Sequence, residues 1–102
     1  MRFLVLALLW PAVVLAQTPD GRQIALHGNA NGALPCAACH GVNGQGNNSI
    51  GAPKLAGLPA GAIVASLQNF AKGQGGNAMM QNIAGALSPA EMEAVAGYFS
   101  KP

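Results

Sequence analysis

The chain has 102 residues, 51% hydrophobic and only 8% charged, with a formal net charge of +2 at pH 7. That length allows one modest domain, and the few charges exclude a basic nucleic-acid footprint or a strong field for steering a charged partner. From Gln17 onward the only aromatics are Phe70, Tyr98 and Phe99, so the core lacks large groups and a domain this small needs a staple of some other kind.

The first stretch reads as an address and not as part of the fold. Met1-Arg2 is a short basic start, Phe3 to Leu15 is apolar apart from Pro11, and Val14-Leu15-Ala16 ends in small residues. This predicts a secretory signal peptide over residues 1–16, cleaved after Ala16, with a mature domain over 17–102. The apolar run is too short to span a bilayer comfortably, so no stable membrane insertion is expected after cleavage. Export to the bacterial periplasm is the expected destination.

Thr18-Pro19-Asp20 reads as a helix start, with a hydroxyl cap, proline in the first turn and an acid next. Ile24, Ala25 and Leu26 follow, and Gly28-Asn29 closes the helix. After a small-residue linker comes Cys36-Ala37-Ala38-Cys39-His40, a C-x-x-C-H run, which is the attachment signature of c-type haem. The chemistry explains the spacing. Two thiols on one helical turn can add across the two vinyl groups of one haem edge, and the next residue then lies beneath the ring, where an imidazole can bind iron.

Gly41 to Pro53 is rich in Gly and Asn and predicts a flexible loop passing close to a flat ligand. Its glycine spacing also suggests phosphate binding, but no strand precedes it and no helix opens from it. Ala60 to Lys72 carries a helical stripe of Ile63, Leu67, Phe70 and Ala71, ended by Gly73. Gln74 to Asn77 is a second glycine-rich loop, and Met79-Met80 then lead into a polar, alanine-rich stretch. Ser88-Pro89-Ala90-Glu91 is a complete capping box with proline at the first position, opening a helix with the stripe Met92, Val95, Ala96 and Phe99. Where first and last helices cross, Tyr98 and Phe99 should pack, with Gly21 and Gly97 allowing close approach. No strand pattern of any length appears.

Taken together, these pieces resemble class I cytochromes c, and more closely the bacterial group that includes cytochrome c4 and cytochrome c553. The resemblance rests on C-A-A-C-H-G-V-N-G-Q-G (Cys36 to Gly46), G-A-P-K-L-A-G (Gly51 to Gly57), M-M-Q-N-I-A-G-A-L-S (Met79 to Ser88) and the ending Gly97-Tyr98-Phe99. It implies an all-α class I cytochrome c fold, with three main helices wrapped around one covalently attached haem c. It also implies thioethers from Cys36 and Cys39, His40 as proximal iron ligand, and the Pro53 carbonyl accepting from the other His40 nitrogen. Met80 would be the distal ligand, because the interval from Met80 to Ser88 matches the family, with the neighbouring thioether of Met79 as the alternative. His–Met ligation leaves no open position on iron and suits single-electron transfer.

Two blander readings stand beside this one. His27, Cys36, Cys39 and His40 are four zinc-type ligands, although adjacent Cys39 and His40 would strain a tetrahedral site and Met80 would have no role. Met92 lies on an apolar helix face and reads as core. At the level of function, the expectation is an electron carrier, not an enzyme, exchanging electrons with a dehydrogenase, oxidase or cytochrome complex. The alternative is a small haem enzyme or gas sensor with a labile distal ligand.

Overall fold

A computed structural model describes residues 18–102, so the signal-peptide expectation lies outside the described residues. Five helices follow in order: α1 (Gly21–His27), α2 (Ala37–His40), α3 (Ala60–Ala71), α4 (Ala78–Gly85) and α5 (Pro89–Phe99). A 3-10 turn spans Asn48–Ile50, and a lone bridge pairs Asn47 with Ala52. Among the described residues there is no strand, in keeping with the all-α expectation. None of the described helices is long and apolar enough to cross a membrane.

The cap of α1 differs from the expectation. Asp20, not Thr18, is the N-cap, with its Oδ1 accepting from the N–H groups of Arg22 (3.0 Å) and Gln23 (3.3 Å). A carboxylate reaches both amides and favours the positive helix end, so Pro19 stays outside the helix. Gly28 closes α1 at φ 75°. In α3, Ile63 and Leu67 are buried, Phe70 is half-buried and Ala71 is exposed, with Val64 in place of Ala71 against the core. The short helix α4 was not expected. Asn77 caps it by accepting from the Met80 N–H at 3.0 Å.

Helix α5 forms as its sequence directs. Ser88 Oγ accepts from the Glu91 N–H at 3.1 Å, and Glu91 Oε1 accepts from the Ser88 N–H at 2.9 Å. Its stripe of Met92, Val95, Ala96 and Phe99 is buried. Helix α1 packs mainly against α5, and α3 against both α4 and α5. The core joins Ile24, Ala25, Ile63, Leu67, Ile83 and Leu87 to the α5 stripe, each large aliphatic contributing about 1.5–3 kcal/mol by burial. Gly21 does allow a close approach, since a Cβ there would lie 2.0 Å from the Ala94 carbonyl oxygen. Gly97 does not, because nothing lies within 4 Å of the corresponding position.

Candidate functional site

Helix α2 is a single turn. The His40 N–H donates to the Cys36 carbonyl at 2.9 Å, and the Gly41 N–H to Ala37 at 3.0 Å. Gly41 then leaves the helix at φ 89°, a conformation that glycine adopts without strain. The turn sets Cys36 and Cys39 three positions apart, on one helical face. Both thiols are free; Cys36 is half-buried and Cys39 is exposed. Burial pushes the Cys36 thiol above its ordinary pKa, opposed by its own backbone N–H.

His40 is the only buried polar side chain among the described residues, with 7% of its surface exposed. Its Nδ1 lies 2.9 Å from the Pro53 carbonyl oxygen. A carbonyl can only accept, so Nδ1 carries the proton and Nε2 keeps its lone pair. This is the tautomer a metal-binding imidazole needs.

The segment between His40 and Pro53 is more ordered than a flexible loop. The Gly46 N–H donates to the His40 carbonyl at 2.7 Å, the Leu55 N–H to Gly44 at 2.8 Å, and Asn47 and Ala52 exchange two bonds at 2.8 and 3.0 Å. The end of α5 fastens it. Tyr98 Oη donates to the Val42 carbonyl at 2.7 Å, the Phe99 carbonyl accepts from the Gly57 N–H at 3.1 Å, and the Phe99 ring lies over Gly44, where a Cβ would come within 2.7 Å of it. Tyr98 and Phe99 themselves meet edge to face, with centroids 4.9 Å apart.

The two methionines part company in the structure. Met80 is half-buried against the core, whereas Met79 is 55% exposed. Both lie in the first turn of α4 behind Gly73, Gly75 and Gly76, with φ of 80°, 90° and 69°. Gln81 Nε2 reaches back to the carbonyls of Gly73 (3.1 Å) and Gln74 (3.4 Å). Sequence reasoning missed Asn77 and Gln81 as supports of this segment; the usable signal was an Asn three positions before Met80.

The donor set fits haem c: two unpaired thiols on one turn, an imidazole held in its ligand tautomer, and a half-buried thioether. Among the described residues the large apolar side chains left exposed are Leu34, Val42, Ile50, Leu58 and Met79, by 41–57%. The zinc reading is not supported. Among the described residues no group of three His, Cys, Asp or Glu side chains comes together to hold an ion, and His27 is exposed at the end of α1.

The chain is similar to known proteins. The family described as cytochrome c matches residues 25–101. The chain is 46% identical over 82 residues to a thiosulfate dehydrogenase electron acceptor of Stutzerimonas stutzeri (strain A1501), covering 79% of this chain and 38% of that protein. It therefore spans well under half the length of such curated relatives. Its fold is similar to that of Acidithiobacillus ferrooxidans cytochrome c4, with a TM-score of 0.74 and 35% identity over 80% of this chain and 48% of that one. A thiosulfate dehydrogenase structure from Marichromatium purpuratum is also similar, with a TM-score of 0.74 and 34% identity over 78% of this chain and 17% of that chain. The chain belongs to the cytochrome c family, which binds covalently attached haem c and carries electrons on its iron.

Proposed function

We propose that residues 17–102, exported to the periplasm after loss of residues 1–16, hold one haem c and pass single electrons between redox proteins. Cys36 and Cys39 supply the thioethers, His40 and Met80 the axial ligands, and Pro53 the carbonyl that orients His40. The observation that carries this reading is the buried His40 ring, on the turn that ends the C-x-x-C-H run, donating to Pro53 at 2.9 Å.

Haem iron supplies a one-electron couple. The residues around it decide how that couple behaves. The bond from Nδ1 to Pro53 fixes the imidazole plane and raises the basicity of Nε2. Met80, a neutral soft donor, would supply the second iron ligand, a donor type that favours the reduced form and leaves little room for a substrate. Its half-burial against the core supports it over the exposed Met79. The donor we infer is a dehydrogenase of sulfur-compound oxidation, because similar proteins are named electron acceptors of thiosulfate dehydrogenase.

Mass spectrometry of the denatured mature chain is expected to give a polypeptide beginning at Gln17 plus one haem. In the ferric holoprotein a sulfur–iron charge-transfer band is expected. A mass equal to the free-thiol apoprotein would overturn the proposal.

A further inference from the structure

Asn29 uses both ends of its side-chain amide. Nδ2 donates to the Ala86 carbonyl at 2.7 Å and lies 3.1 and 3.2 Å from the two carboxylate oxygens of Glu91. Oδ1 accepts from the N–H groups of Asn31 (3.1 Å) and Ala33 (2.9 Å). The network fixes the orientation of the amide, since turning it over would set oxygen against oxygen and hydrogen against hydrogen. Glu91 is held in turn by the Ser88 N–H, and that bond first, then the Asn29 amide, keeps its carboxyl below the usual carboxylate range.

Two local motifs meet here, and neither needs the bond between them. An Asn turn requires only Oδ1, and a capping box requires only Ser88 and Glu91. The bonds from Nδ2 are extra. They join the segment leading from α1 to Cys36 with the junction of α4 and α5. Ala86 is the C-cap of α4, and Met80 lies in the first turn of the same eight-residue helix. The other end of α4 adjoins the exposed glycine segment 73–76. Of the two ends of α4, therefore, only the Ala86 end is bonded to the segment that leads to the attachment cysteines.

We infer that Asn29 is a positioning residue for the distal ligand: by pinning Ala86 and Glu91 it holds α4, and with it the Met80 thioether, in place relative to the Cys36–His40 turn. The inference rests on the reading of Met80 as distal ligand.

The test uses holoprotein and two readouts in the same samples: the sulfur–iron band with carbon monoxide affinity of the ferrous form, and helix content during denaturant titration. Asn29→Asp removes the donor and sets a carboxylate against Glu91. It is expected to make sulfur displacement roughly tenfold easier, the scale of a broken charge-assisted bond, at denaturant concentrations where helix content is unchanged. Glu91→Gln alone keeps an acceptor for Asn29 and a competent capping box, so its effect is small. The double variant Asn29→Asp with Glu91→Gln reverses donor and acceptor between these two side chains but leaves the Ala86 carbonyl without its donor, and is expected to recover part of the loss. An effect of Asn29→Asp that only follows global unfolding, or a double variant without recovery, would overturn the inference. If Asn29→Asp yields no holoprotein, Asn29→Ala, Glu91→Ala and their double variant replace it; non-additive sulfur loss supports the coupling, and additivity refutes it. Met80→Ala separates the two levels. A retained sulfur band there removes the Met80 reading, whereas a lost band with an unmoved Asn29→Asp removes the role of Asn29 alone.

Discussion

The two sides of the site are built differently. The proximal side, from Cys36 to Gly57, is closed by backbone: His40 to Cys36, Gly46 to His40, Leu55 to Gly44, Gly57 to Phe99, with the imidazole bonded to a main-chain carbonyl. The segment from Gly73 to Met80 is tied by backbone to the preceding helix only at its start, Gly73 to Phe70 and Gln74 to Asn69; over its exposed glycines the further bonds come from the side chains of Asn77 and Gln81. A proximal ligand that follows directly after an attachment cysteine closes almost no loop. In the proposed ligand set Met80, about forty residues further on, would close one at a cost of about 3 kcal/mol plus a constant. On that proposal one ligand would be held by its neighbours, and the other by an equilibrium.

The strongest way to break the comparison is at the anchors. Replacing both Cys36 and Cys39 by Ala is expected to abolish covalent haem, leaving no haem mass on the denatured chain. Next is the distal bond. Heat, alkali or mild denaturant should displace Met80 first, with His40 and both thioethers retained. Met80→Ala should reproduce that state in native buffer, read as loss of the sulfur–iron band and gain of carbon monoxide binding, while Met79→Ala should leave both unchanged. The opposite pattern would assign the ligand to Met79.

Glycine substitutions give a smaller contrast. Gly44→Ala meets a positive φ, the Phe99 ring at 2.7 Å and the Ala56 nitrogen at 3.1 Å, and is expected to lower thermal stability by about 2–4 kcal/mol. Gly76→Ala meets a positive φ in open space and should cost only about 1 kcal/mol. Equal losses at the two positions would show that the loops do not differ in tightness. The smallest effect is at Glu91. Its folded pKa is lowered, chiefly by the Ser88 N–H, so its contribution is complete above the unfolded value of about 4.3 and is lost as pH falls through the lower folded value. Glu91→Gln cannot titrate. The wild-type advantage should therefore shrink as pH falls through that window in paired melting curves, and a constant difference would refute it.

The proximal side was legible in the sequence because its signals are local. Cys36 to His40 is one turn, and Ser88 and Glu91 cap one helix. The errors arose where local rules compete or distant partners decide. Asp20 outbid Thr18 for the α1 cap because its carboxylate reaches two amides. Helix α4 was missed because eight residues with Gln, Asn and two Met show little periodicity. Gly97 was credited with a contact that belongs to Ala94, since composition does not reveal which residue a neighbouring helix faces. Asn29 reads as a helix stop, and nothing nearby in sequence announces bonds to Ala86 and Glu91.

The clamp made by Tyr98 and Phe99 on the proximal loop also sets an order of events in time. A chain that leaves a ribosome or an export channel amino end first presents Cys36 and His40 well before Tyr98 and Phe99 emerge. Until they do, Val42, Gly44 and Gly57 lack the partners that fasten the loop. The Cys36–His40 turn is therefore less enclosed until the end of the chain arrives. The last helix to be made then closes over the loop that follows that turn.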